Sequence, residues 1–149
     1  MSRSISHTRN FASRLMAYEA GRNKSSESKI PPALQICKNL QPHLATLMGS
    51  GGYRALLTRA LALAAAEDPS LRAVRVTADG SLAGLEELQS EAGPDESFEG
   101  GVVLLAQVFG LLVAFIGEDL TLRLVREIWA KVPPDDLEFS KEAKNEKTK

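Results

Sequence analysis

The sequence predicts an all-α protein: one domain, a bundle of five or six helices gathered around a central apolar helix. Three observations carry that expectation. Residues 102–116 (VVLLAQVFGLLVAFI) are apolar throughout except for Gln107. Leu and Ala dominate the 44% of the chain that is hydrophobic while aromatics supply only 5%, a balance that favours helix over sheet. Apolar residues also recur at spacings of three and four through most other segments.

The apolar run decides how the domain is organised. As a helix it is about 22 Å long, short of a hydrocarbon core of about 30 Å. Its flanks are Glu99, Glu118 and Asp119, and no Lys or Arg lies between Arg75 and Arg123 to hold it at lipid headgroups. A helix hydrophobic on every side is then the centre of a packed domain, and no membrane span is expected. With 149 residues there is enough chain to wrap it.

The first element is a helix over 8–20, where Phe11, Leu15 and Tyr18 share a stripe with Ala12 and Met16, and Gly21 is placed to end it. Residues 22–29 (RNKSSESK) are polar and aperiodic, so residues 1–29 read as a basic helical arm plus linker, separate from the core domain at 30–134. Pro31-Pro32 opens the next helix, with Leu34, Cys37, Leu40, Leu44 and Leu47 in its stripe. Pro42 either kinks that helix or starts another. After the break at 49–52, residues 53–66 are the strongest helix former, burying Leu56, Leu57, Ala60, Leu61 and Ala64.

Residues 71–76 alternate apolar and basic before an Asp79-Gly80 turn, so a short β-hairpin near 71–85 competes with a helix carrying Leu82, Leu85 and Leu88. Residues 91–99 read as an acidic loop, and Gly117 separates the apolar helix from a last one over 120–132. That last helix turns Leu120, Leu124, Val125, Ile128 and Trp129 inward and sets Arg123, Glu127 and Lys131 one turn apart on the other side. Residues 135–149 form a charged tail expected to be disordered.

Functional chemistry is sparse. No catalytic residue, cofactor or metal is expected: His7 and His43 are the only histidines, and the one cysteine, Cys37, stands about 240° around a helix from His43. There is no CxxC or HxxxH spacing, and Asp95, Glu96 and Glu99 read as solvated charge. Ser50, Gly51 and Gly52, opening a helix with Arg54 and Arg59, form a weak anion-binding candidate, lacking the preceding strand and Lys-Ser/Thr of a phosphate loop.

Charge is split: residues 1–75 carry eleven Lys and Arg against four carboxylates, a balance of +7, and residues 76–149 carry seven against fifteen, a balance of −8. Nucleic-acid binding through the basic half is unfavoured, because its cations are scattered and the last helix opens on two carboxylates. What remains is protein–protein association. Ala106, Gly110 and Ala114 form a small-residue ridge on the apolar helix, and Arg9 and Arg14 stud the basic arm; these are the candidate interface residues. The reading is a non-enzymatic interaction or regulatory module of the cytoplasm, self-associating as a dimer, with the basic arm and acidic loop as binding elements. Its alternatives are a small-anion or nucleotide-phosphate binding protein built on the 49–52 turn, and a nucleic-acid binder.

Overall fold

Proline and glycine mark most boundaries of the chain's elements. The computed structural model describes residues 2–23 and 31–129, so residues 24–29 of the linker expected at 22–29 and the charged tail expected at 135–149 lie outside the described residues. The architecture is all-α in character, with one short two-stranded sheet among the described residues.

Helix α1 (Ser2–Asn23) runs through Gly21 instead of ending there. Nothing lies within 4 Å of a Cβ built on Gly21, and one exposed glycine costs a helix about 1 kcal/mol, too little to stop it. Nor is α1 an arm apart from the core. Phe11, Ala12, Leu15 and Met16 are all at most 1% exposed, and the helix packs along the apolar one. A polar linker reports how a helix is tethered, not where its apolar face docks.

Helix α2 (Pro32–Glu67) has proline in its first turn, where the missing N–H costs nothing. It stays helical past Pro42, and the break falls at Gly49, whose φ of +81° suits glycine. The result is two arms, 32–48 and 50–67. The second buries Leu56, Leu57, Ala60, Leu61 and Ala64 as its periodicity requires; the first buries Leu34, Cys37, Leu40 and Leu44 but leaves Leu47 49% exposed.

A 3-10 turn (Pro69–Ala73) follows, with the Ser70 N–H donating to the Asp68 carboxylate at 3.2 Å. Strands β1 (Arg75–Val76) and β2 (Leu82–Ala83) then pair antiparallel, Arg75 opposite Ala83 and Val76 opposite Leu82. The Asp79-Gly80 turn joins them, and hydrogen bonds from Thr77 and Ser81 hold the exposed Asp79 carboxyl below its ordinary range. Both readings of this region are partly right, because the hairpin hands over to helix α3 (Leu85–Ala92), which buries Leu85 and Leu88.

Helix α4 (Pro94–Ile116) absorbs the stretch expected to be an acidic loop. Gly93, at φ +92°, makes the turn, and Pro94 followed by carboxylates is a favourable first turn rather than a loop. Gly117 leads into α5 (Glu118–Ile128), which buries Thr121, Leu124 and Val125, while Leu120, expected inside, is 38% exposed.

The core is organised around α4, which packs against α1, α2, α3 and α5. Residues 102–106, 108, 109 and 112 are buried. Closest approach occurs at Gly101, where a Cβ would lie 2.6 Å from Met16 Cε and 3.1 Å from Ala33 Cβ. Further along, Phe109 meets Phe11 edge to face, ring centres 5.0 Å apart.

Candidate interaction groove between α2 and α5

Helix α5 is short and turns only one narrow stripe inward, so its flank stands off from the first arm of α2. The gap is a cleft of about 440 Å³. Pro42, His43, Thr46 and Leu47 line one wall; Leu120, Arg123, Leu124 and Glu127 line the other. A second depression of about 430 Å³, bounded by Ile116 through Leu120 and by Arg123, shares Leu120 and Arg123 with it. Phe115, next to Ile116, is 64% exposed. Singly exposed leucines are ordinary on a protein surface, but here Leu47 and Leu120 face one depression.

Thr46 in the cleft wall donates its hydroxyl to the Pro42 carbonyl at 2.9 Å, while three other polar groups there have no partner among the described residues. Arg123 and Glu127 sit one turn apart on α5, both exposed, and neither closes an ion pair or side-chain hydrogen bond with a described residue. The Nδ1 of His43 is buried without a hydrogen-bond partner among the described residues. Leaving such an atom unsatisfied costs about 1–3 kcal/mol.

One to two turns before the cleft residues on the same arm of α2 lies a buried polar cluster that residue spacing alone does not announce. Glu19 is 1% exposed and accepts hydrogen bonds from Trp129 Nε1 at 2.7 Å and Asn39 Nδ2 at 3.5 Å. Gln35 Nε2 donates in turn to Asn39 Oδ1 at 3.0 Å. The cluster ties α1 to α2 and to the end of α5. Spacing places Glu19 only: it follows Leu15 by four and Met16 by three, which puts it on the buried stripe of α1.

The sequence-predicted site residues are dispersed. Ser50 and Gly51 are exposed in the first turn of the 50–67 arm, and Gly52 is half-buried against Met48. Arg54 and Arg59 are both exposed, and five residues of helix set them about 140° apart, so they do not converge. Arg9 is engaged by Glu67 in an ion pair, and Arg14 is half-buried on α1. Of the small-residue ridge, Ala106 lies in the core at 5% exposure, Gly110 is half-buried with nothing within 4 Å of a Cβ, and Ala114 is exposed. Among the described residues the ridge is covered at its Ala106 end and open at Gly110 and Ala114. Cys37 is buried, and burial pushes its thiol pKa up to about 12; its carbonyl accepts the Tyr53 hydroxyl at 3.1 Å. Among the described residues no three His, Cys, Asp or Glu side chains converge to hold a metal.

Comparison with protein-family models, with curated proteins and with solved structures finds no match to this chain.

Proposed function

We propose that this protein is a non-enzymatic, self-associating interaction module of the cytoplasm, whose contact surface is the α2–α5 groove together with the emerging end of α4. In this reading α4 is a core helix rather than a membrane span. The segment Glu96–Ile116 is long and apolar enough to cross a bilayer, but the rest of the chain already covers the greater part of it, including residues 102–106. With the two arms of α2 counted separately, five helical segments among the described residues surround it, six with α4 itself. The reading departs from the sequence expectation in one respect: the contact surface moves from the basic arm and acidic stretch to the apolar end of the bundle.

The observation that carries the proposal is the exposure of Phe115, Leu47 and Leu120 at 64%, 49% and 38%, two of them facing one depression. Covering such side chains returns about 25 cal/mol for each Å² of apolar surface removed from water. That is a standing drive toward association. Sedimentation velocity over a wide concentration range tests it. The expected result is a mass rising toward two chains, with Phe115→Ser holding the protein at one chain and leaving its helical circular dichroism, and its melting temperature in dilute protein, unchanged. A wild-type mass of one chain at every concentration overturns the proposal.

A further inference from the structure

We infer that the occupant of the α2–α5 groove is a second copy of this chain, the two copies related by a two-fold axis, their α5 helices antiparallel, with Arg123 of each facing Glu127 of the other. The inference rests on the self-association proposed above and gives it a surface and a symmetry.

Helix α5 supplies the register. Leu120, Arg123, Leu124 and Glu127 fall at i, i+3, i+4 and i+7, one seam along the cleft wall. The two charges are of opposite sign and one turn apart, and neither has a partner among the described residues. Arg preceding Glu by four is also the weaker order for an ion pair within one helix, which leaves both side chains available. Laid parallel, two such seams put like charges together. Laid antiparallel about a two-fold axis, they put unlike charges together twice.

A two-fold contact requires a patch complementary to itself, and a patch with one charge of each sign beside apolar Leu47 and Leu120 meets that requirement. A uniformly acidic or basic peptide would satisfy one of the two charges and oppose the other. A patch with one charge of each sign is instead complementary to its own copy turned about a two-fold axis, which is the support for a second copy as the occupant.

The test uses the full chain and charge reversal read by sedimentation equilibrium. R123E and E127R, each alone, place like charges in contact at both ends of the seam, and each is expected to weaken dimerisation about tenfold or more. The double variant R123E/E127R restores unlike pairs and is expected to return the dissociation constant to within a few-fold of wild type. Mixing the R123E chain with the E127R chain gives the most demanding arm, since a heterodimer then forms where neither chain alone dimerises. Recovery in the double variant and in the mixture also shows that the single variants fold. A wild-type dimer indifferent to both reversals, or reversals that neither the double variant nor mixing rescues, overturns this geometry while self-association stands. A wild-type chain that stays single overturns both. So does one that stays single yet binds an amphipathic helical peptide in the groove, which would assign the cleft to another protein.

Discussion

The two ends of the α4 apolar run have nearly the same composition and opposite surroundings. Between Gly100 and Phe109 the helix is gripped: Gly100 lies against Leu71, Gly101 against Met16 and Ala33, and Phe109 against Phe11. From Gly110 to Ile116 the cover is one-sided: Leu112 is fully buried, but among the described residues nothing lies within 4 Å of a Cβ at Gly110, Ala114 is exposed and Phe115 stands 64% open. Hydropathy does not separate the two stretches. What separates them is cover: α1 and α2 close on the first at Met16, Ala33 and Phe11, while the second buries Leu112 on one face and leaves Ala114 and Phe115 bare on another. An apolar sequence states that a surface needs cover, while the neighbouring elements decide whether the chain supplies that cover itself.

That contrast breaks most visibly under truncation of its two phenylalanines. Phe109→Ala opens a cavity in a packed core and is expected to cost about 3–5 kcal/mol of unfolding free energy. Phe115→Ala removes a side chain already in water and is expected to stay within about 0.5 kcal/mol, measured on dilute protein by urea denaturation. Equal costs at the two positions would erase the distinction.

Glycine-to-alanine substitutions sharpen it further. Gly101→Ala forces a methyl group against Met16 and Ala33 and is expected to destabilise by about 1–3 kcal/mol. Gly110→Ala meets open space and gains helix propensity, so it is expected to stabilise by about 0.5–1 kcal/mol. The same change in one helix therefore has opposite signs, readable as opposite shifts of melting temperature.

Thiol labelling gives the smallest but cleanest signal. Buried Cys37, its thiol held protonated at neutral pH by burial, is expected to resist an aromatic disulfide reagent until the protein unfolds. A thiol introduced by Phe115→Cys is expected to react at once in dilute protein and more slowly as concentration rises. Labelling of Cys37 in the folded protein would contradict the burial of the first arm of α2.

Much of this fold is legible in the sequence. The stripe of residues 56–64 is one case, since its period of 3.6 maps directly onto burial, and the centrality of α4 is another. Elements whose fate depends on a partner were less so. The α1 stripe is as apolar as any other, but a polar linker obscured its docking. Leu120 is expected on the apolar face of α5, yet it stands seven residues before Glu127, on the edge of the buried face of Thr121, Leu124 and Val125, and so borders the cleft. The Gly100-Gly101 pair, which allows the closest approach in the core, was overlooked in favour of Gly110, where small residues lie at helical spacing but no helix among the described residues arrives. Residue spacing reveals which side chains share a face. It does not reveal which face finds a neighbour.

The most direct measurement uses fluorine-labelled phenylalanine, with the Phe109 and Phe115 signals assigned by substitution and their exposure read from relaxation by a soluble paramagnetic chelate. Phe109 is expected to be shielded at every concentration, and Phe115 to be open in dilute solution and progressively shielded as chains associate. A Phe109 signal as accessible as that of Phe115, or a Phe115 signal that stays open however concentrated the protein, would contradict the claim that the chain covers one end of its apolar helix and a second copy covers the other.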